Sequence, residues 1–438
     1  MSKDGCESNK GDITSMKISV VGGGYVGLVT GTCFAHLGHY VTVIEIDPEK
    51  VRAINKGIPP IYEPGLEELL KQNAGKRLNA STGYESVTDA SLVFVCVGTP
   101  PKTDGSANLS YIASASTSIG NVLKNSPKYC VVVVKSTVPP GTTEKVVRSA
   151  VIRASGKTAS EIGFAMNPEF LREGRAVEDF LHPDRIVIGS GDLRSGDLVA
   201  EVYQDIKVPI IRAGLSAAEM IKYVSNAFLA TKISFSNEIG NICKDLGIDV
   251  YEVMQGVGLD ARIGPLFLNA GAGFGGSCFP KDVSALVSLA RNAGENPVLL
   301  QSVLEINEQQ PNRMIQLLEK RIGSLYGKRI AVLGLAFKDN TDDIRESRAI
   351  PVISELVQKG AHVAAYDPMA IPNMQKMFPA IAYCTSAAEA LSEADACLIM
   401  TEWPEFARLD EEFDCMARKV IIEGRRILSC NGVEGICW

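Results

Sequence analysis

A single cysteine, Cys278, follows a run of glycines in "GFGGSCFPKD" (273–282) and stands just before Pro280, Lys281 and Asp282. Pro280 suits the first position of a helix, which puts Cys278 at a helix N-terminus beside Lys281. Both neighbours favour the thiolate, the reactive form of the side chain. The glycines at 271, 273, 275 and 276 read as a stretch kept free of side chains so that a ligand can approach backbone. The competing reading is an inert core thiol, which needs neither glycines nor a positive neighbour. Most of the eleven cysteines, scattered without a CxxC pair, fit that second description.

A nucleotide motif lies near the other end of the chain. Gly22, Gly24 and Gly27 form G-x-G-x-x-G between the β-rich run "KISVV" and an apolar helical run. The first glycine makes the turn, the second lets backbone reach a pyrophosphate, and the third lets helix pack on strand. Glu45, at the end of the next β-rich run, is placed to accept the hydroxyls of an adenosine ribose and to repel a 2′-phosphate. NAD is therefore expected over NADP. The alternative is a tight Rossmann-type turn without a dinucleotide.

A thiol combined with a nicotinamide cofactor suggests oxidation of a primary alcohol in two steps. An aldehyde formed by the first hydride loss is trapped by cysteine as a thiohemiacetal, and a second hydride loss yields a thioester that water opens to an acid. The four histidines, His36, His39, His182 and His362, lie outside the motifs, so proton transfer falls to carboxylates, lysine and water.

The elements that must position these groups are legible from periodicity. Apolar runs at 92–97, 130–135 and 185–188 alternate with helical stretches, the rhythm of a doubly wound parallel sheet whose ligands gather at the carboxyl ends of strands. Thr99, Ser136, Thr137, Glu169 and Glu173 follow such runs. Thr137 as a turn cap, and Glu169 with Glu173 as a solvated helix face, are the bland alternatives. From Ser216, about thirty residues of helical character run to Gly247 and carry Lys222 and Asn226 one turn apart. These two either face inward and need partners or sit at an exposed rim. At Lys328 the opening pattern returns: "KRIAVLGLAFK" matches "MKISVVGGGYVG", and "AHVAAYDP" matches "HYVTVIEIDP". With only Gly334 at its turn, this second copy cannot wrap a pyrophosphate as closely and is expected to hold a different nucleotide.

The expected architecture is α/β: two Rossmann-like doubly wound parallel-sheet domains joined by a helical middle domain with a long central helix. The expected divisions are a disordered extension over 1–15, a first Rossmann domain over 16–212, a helical middle and dimerisation domain over 213–325, and a second Rossmann-like domain over 326–438. With 438 residues, 46% hydrophobic and 22% charged, the chain reads as soluble and multi-domain. A net charge of −7 argues against nucleic acid or anionic membrane as the main partner and favours a small molecule. The polar start and the shortness of the apolar runs predict a cytoplasmic protein without a membrane span.

"GGGYVG", "VGTPP", "KSTVPPGT", "NPEFLREG", "IKYVSNAFLATKISFSNE", "GFGGSCFPKD" and "LGLAFKDNTDDIRES", in this order, make the chain resemble the UDP-glucose 6-dehydrogenase family from Met16 onward. The resemblance implies oxidation of the C6 alcohol of UDP-glucose to a carboxylate with two NAD, and a homodimer or higher homo-oligomer built on the long helix. It implies Cys278 as nucleophile, Lys222 and Asn226 at the reacting sugar and its oxyanion, Asp282 and Thr137 in organising water and protons, and Glu169 as a further catalytic residue bordering sugar and cofactor. Cofactor contacts are implied for Gly22, Gly24, Tyr25, Val26, Gly27, Glu45, Lys50, Thr99, Thr137, Glu173, Lys281 and Arg345. Substrate contacts are implied for Glu169, Phe170, Leu171, Arg172, Glu173, Lys222, Asn226, Phe267, Leu268, Asn269, Gly271, Gly275 and Lys338, with Arg262 reaching a neighbouring subunit's substrate. Glu45 and Glu423 stand where the family more often has aspartate. A GDP-mannose or UDP-N-acetylhexosamine dehydrogenase is the alternative within the class, and a noncatalytic nucleotide-sugar or NAD-binding regulator the alternative outside it.

Overall fold

The computed structural model describes residues 15–430 and 432–438, and the disordered extension expected over 1–15 lies, but for Ser15, outside the described residues. The chain divides into two compact units, one of residues up to Thr99 with Asn108–Lys222, the other of Pro100–Ala107 with Tyr223–Trp438.

The first unit is built on eight strands: β1 (Lys17–Val21), β2 (Tyr40–Ile44), β3 (Leu78–Ser81), β4 (Leu92–Val95), β5 (Cys130–Val134), β6 (Ile162–Met166), β7 (Ile186–Ser190) and β8 (Ile210–Ala213). Their order is β3-β2-β1-β4-β5-β6-β7-β8. The central strands β4, β5 and β6 are buried at every residue, as expected for β-branched and aliphatic runs covered on both faces. Order reverses between β1 and β4, so the crevice at their carboxyl ends is the switch point where ligands bind in such sheets.

One junction departs from the expected parallel sheet. β6 and β7 are antiparallel and overlap only at their ends, Ala165 opposite Ser190 and Met166 opposite Gly189. The helix between them, Ala176–Leu181, has six residues and rises about 9 Å. A five-residue strand spans about 16 Å, so this helix is too short to carry the chain back across the sheet. The 167–175 stretch consequently stays at the carboxyl edge. It is not helical, so Glu169 and Glu173 do not form the solvated helix face that their spacing allowed.

The second unit repeats the pattern with β9 (Arg329–Leu333), β10 (His362–Tyr366), β11 (Ala382–Tyr383), β12 (Ala396–Ile399), β13 (Ile421–Glu423) and β14 (Val433–Gly435), all parallel in the order β11-β10-β9-β12-β13-β14. Its turn after β9 is closed from within. Gly334 has φ +92°, and a Cβ there would lie 2.6 Å from the Thr401 nitrogen. Asp367, after β10, accepts from the backbone of Leu335 (2.7 Å) and Ala336 (3.0 Å) with Oδ2 and from Met369 and Ala370 (both 2.8 Å) with Oδ1. Trp403 Nε1 adds a fifth donor at 3.0 Å.

Between the sheets in sequence run four helices: Leu215–Leu246, Val250–Gly258, Phe279–Asn292 and Val298–Ile322. The first has 32 residues and ends before Gly247, whose φ of +72° provides the left-handed stop.

Because five donors converge on one buried carboxylate, Asp367→Ala is expected to destabilise the fold by about 3 kcal/mol or more, since each orphaned donor costs its desolvation. Denaturant titration followed by tryptophan fluorescence measures this directly, Trp403 being one of the orphaned donors.

Candidate active site

In the first unit the glycine motif separates into packing and access. Gly22 has φ +101°, and a Cβ would lie 2.8 Å from the Cys96 carbonyl oxygen; a Cβ on Gly27 would collide with the carbonyl of Gly22. Gly24 differs: a Cβ there meets nothing within 4 Å. It is the N-cap of the helix Tyr25–His36 and provides no side-chain cap, so the first amides of that helix face the opening. This cradle fits a pyrophosphate.

Glu45 accepts from Gly23 N (3.0 Å) with one oxygen and from Asp47 N (3.1 Å) with the other. A carboxylate has about four acceptor sites, so two remain for a pair of ribose hydroxyls. Asp367, at the matching place in the second unit, is saturated by five donors, two of them the turn amides that a phosphate would need. The first sheet is therefore the dinucleotide site. The NAD-type cradle fits Gly22, Gly24, Gly27 and Glu45, with Tyr25 and Val26 opening the helix above it and Lys50 in the helix Pro48–Asn55 that follows Glu45.

Around the crevice, side chains lace the strand ends together. Thr99 Oγ donates to the carbonyl of Thr137 at 2.8 Å, and Ser136 Oγ to that of Val97 at 2.6 Å. Tyr25 donates to buried Glu63, which also accepts from Gly174 N (2.8 Å) and Ala176 N (2.7 Å). Burial and the adjacent Glu63 carboxylate push the Tyr25 phenol well above its ordinary range.

Lys222 and Glu169 are both buried and pair at 3.0 Å, so the exposed-rim reading of Lys222 does not hold. The other Glu169 oxygen accepts from Leu171 N at 2.6 Å. Phe170 lies against two cations, Arg185 at 4.1 Å and Lys222 at 5.4 Å from its ring centroid. Arg172 directs its guanidinium fork at Asp179 (2.5 and 2.9 Å) rather than into the crevice. One turn before Lys222, fully buried Glu219 accepts from Gly141 N (2.5 Å), Thr143 N (2.7 Å) and Thr143 Oγ (2.6 Å). Burial raises the Glu219 carboxyl above its ordinary range, and these hydrogen bonds oppose the shift.

In the second unit Cys278 is the N-cap of the helix Phe279–Asn292, half-buried, and makes no cap bond with its side chain. Phe279 takes the first helical position and Pro280 the second, one later than its type suggests. The Cys278 Sγ lies 3.6 Å from Ser277 Oγ. Asp282, fully buried in the first turn, accepts from Asn226 Nδ2 at 2.6 Å and from Lys281 Nζ at 2.5 Å. Asn226 thus also faces inward.

At each glycine before Cys278 the direction a side chain would take is already occupied by protein. A Cβ at Gly271 would collide with the carbonyl of Gly424 and one at Gly275 with that of Glu346; at Gly273 it would lie 2.6 Å from Asn307 Oδ1, and at Gly276 2.7 Å from the Phe337 ring. Protein fills the space. The loop is further clamped by Asn307, which bonds both N (2.7 Å) and O (3.0 Å) of Phe274, and by Gln310 and Asn237 on the O and N of Gly271. Phe267, strained at φ +64°, packs its ring on Phe279 at 6.3 Å. Leu268 is buried and Asn269 exposed. Arg262 and Arg345 fork onto Asp260 and Asp343, and Lys338 is half-buried. Glu423 caps the backbone of Ile427 and Leu428 at 2.9 and 2.8 Å, a structural role.

Sequence reasoning passed over Lys135, Asn167, Glu63 and Glu219. Lys135 and Asn167 were findable as the first residues after β5 and β6. Glu63 and Glu219 carry no local signal, because the backbone amides they accept from lie more than seventy residues away in sequence.

Comparison with known proteins extends over most of the chain. Residues 16–207 match the UDP-glucose/GDP-mannose dehydrogenase family NAD binding domain, 216–309 its central domain and 331–430 its UDP binding domain. UDP-glucose 6-dehydrogenase AglM of Haloferax volcanii is 49% identical over 94% of this chain and 97% of its own. The structure of a UDP-glucose dehydrogenase from Pyrobaculum islandicum superposes with a TM-score of 0.93 at 42% identity, covering 98% of this chain and 99% of that one. A UDP-D-ManNAc dehydrogenase from Pyrococcus horikoshii gives 0.85 at 30% identity, covering 96% and 99%.

The contrast between the two helix-facing glycines is testable. Gly24→Ala, at φ −73° with open space, is expected to leave the melting temperature near normal and to weaken NAD binding by about tenfold, or 1.4 kcal/mol. Gly27→Ala is expected to lower the melting temperature itself. Differential scanning fluorimetry with and without NAD separates the two effects.

Proposed function

Because the chain belongs to the UDP-glucose/GDP-mannose dehydrogenase family, we propose that it oxidises UDP-glucose at C6 to UDP-glucuronate by way of a cysteine adduct. The observation that carries this reading is the N-cap thiol of Cys278 one turn ahead of a buried carboxylate, Asp282, held by Asn226 and Lys281. A sensor of nucleotide sugars needs no such thiol. Higher identity to relatives named for UDP-glucose than to the UDP-D-ManNAc enzyme favours glucose as the sugar.

NAD, when bound, supplies the hydride acceptor, and two are consumed per sugar. Lys222 and Glu169 sit at the reacting alcohol as a cation and a base. Once C6 is at the aldehyde level, the Cys278 thiolate adds to it, and the ammonium of Lys222 with the amide of Asn226 stabilises the oxyanion of the adduct. The thioester left after the second oxidation is opened by water, whose proton passes to the carboxylates. Asp282 and Thr137 order that water. His39 is buried in a structural role, with Nδ1 accepting from Met16 N and Nε2 beside the Val202 carbonyl. The other contacts implied for cofactor and nucleotide sugar, Glu173, Arg345 and Lys338 among them, belong to this same reading.

The functional form is a homodimer built on the long helix. Val224, Phe228, Phe235, Ile242 and Leu246 recur at intervals of four and seven on one helix face and are 49–67% exposed. Such a stripe on a 32-residue helix is a surface that a second copy would cover isologously. A cytoplasmic location accords with the ten free cysteines among the described residues, and no helix among those residues is long and apolar enough to cross a membrane.

Two experiments test these statements. Cys278→Ser is expected to bind NAD and UDP-glucose but to lose steady release of two NADH per sugar by about three orders of magnitude or more, in line with loss of a nucleophile. Steady turnover to UDP-glucuronate in that variant, read by absorbance and product stoichiometry, would make Cys278 a bystander. Phe228→Glu combined with Phe235→Glu is expected to shift the sedimentation coefficient from dimer to monomer, and an unchanged coefficient would place the self-contact elsewhere.

A further inference from the structure

Lys135, the residue after β5, is 3% exposed and has no ion-pair partner within the distance of a salt bridge among the described residues. Its ammonium donates to Asn167 Oδ1 at 3.0 Å and to Tyr203 Oη at 3.3 Å, and lies about 6 Å from the ring centroids of Phe94, Phe180 and Tyr203. Tyr203 Oη in turn donates to Asn167 Oδ1 at 2.6 Å, while Asn167 Nδ2 donates to the Val187 carbonyl at 2.8 Å. A desolvated lysine hydrogen-bonded only to neutral groups is costly, and burial pushes it down to about 8 although the nearby Glu169 carboxylate pulls the other way. Nothing in core packing requires it. A methionine would fill the same volume among Phe94, Phe180 and Tyr203 without the cost.

What the lysine holds gives the reason. Asn167 begins the non-helical 167–175 stretch, and Glu169 lies two residues further, with its carboxylate between Leu171 N and Lys222. Lys135, Asn167 and Glu169 also line a common cavity of about 40 Å³. No regular secondary structure fixes this stretch, and the six-residue helix after it is too short to do so. Asn167 is the anchored start of the stretch that carries Glu169, and the ammonium orients it jointly with Tyr203 Oη and the Val187 carbonyl.

We propose that Lys135 is a positioning residue for the oxidation: through Asn167 it fixes the turn that presents Glu169 to Lys222 and so to the reacting alcohol. This rests on the role assigned above to Glu169 and Lys222. It differs from a stability role in its signature. The cofactor cradle at Gly22, Gly24 and Glu45 does not involve the 167–171 turn, so the effect should fall on turnover and not on NAD affinity.

The test uses the full chain with NAD and UDP-glucose. Lys135→Met is expected to lower kcat by about 10²-fold, the scale of a misplacement near 1 Å, with KM for NAD and the melting temperature near normal. In Lys135→Ala, added propylammonium is expected to restore turnover saturably, whereas propanol, of matching length but neutral, is not. Near-normal kcat in Lys135→Met, a rise in KM for NAD in step with the loss, or equal rescue by propanol would each overturn the proposal. Should Lys135→Met fail to fold, Tyr203→Phe decides. It removes one hydroxyl from the same oxygen of Asn167, and is expected to lower kcat several-fold at unchanged KM for NAD; an unchanged kcat counts against the proposal. Glu169→Gln separates the two readings. If it is slow while Lys135→Met is not, only the positioning role falls, and if Glu169→Gln turns over normally, the assignment of Glu169 falls and this proposal with it.

Discussion

Burial of charged and polar side chains on one face of the long helix is the constraint from which the rest follows. Glu219, Lys222 and Asn226 recur at intervals of three and four, and all are less than a tenth exposed. An ionised group taken out of water must be answered by a protein partner, and leaving one unanswered costs about 3–5 kcal/mol. Each is answered by a segment that carries chemistry: Glu219 by the backbone of 141–143 that follows "KSTVPP", Lys222 by Glu169, and Asn226 by Asp282. The helix cannot rotate or slide by one residue without breaking such a pair. Its register is set by electrostatics, and its exposed apolar stripe is left over for another purpose.

The two sheets show how a repeated fold comes to have one nucleotide cradle of this kind. Both have a strand, a glycine turn, a helix, and a second strand followed by an acid. In the first, Glu45 uses two acceptor sites on its own backbone and keeps two, while Gly24 stays open. In the second, Asp367 reaches into the turn and takes the amides of Leu335 and Ala336 for itself. The carboxylate stands where a phosphate would. A difference of one methylene in the acid, and of two glycines in the turn, separates an open pyrophosphate cradle from a turn closed by its own acid, in a stretch that matches a UDP binding domain.

What could be read from the amino acids alone was whatever is local. Strands β4 and β5 are continuous apolar runs, so their burial on both faces was plain, and Pro280 marked the start of a helix at Cys278. The glycine turn at 22–27 was legible because three positions suffice to define it. Features made by distant partners were not. Glycines 271–276 look the same whether they make way for a ligand or for Gly424, Phe337 and Glu346, residues more than sixty positions later. The reversal of β7 depends on the length of a six-residue helix, which periodicity cannot separate from loop. Lys135 was hidden at the end of a run of valines, where it reads as the strand's exposed end until Asn167 and Tyr203 are seen around it.

The self-closed turn of the second sheet has a temporal consequence. A chain with a single dinucleotide cradle cannot hold two oxidants at once, yet each sugar must surrender two hydrides. Spent cofactor must leave and fresh cofactor must enter while a half-oxidised sugar waits. An aldehyde free to diffuse would be lost in that interval, so the order of events demands a tether. A thiol anchored at the end of a rigid helix, on a loop whose every glycine is packed in place, is suited to be that tether.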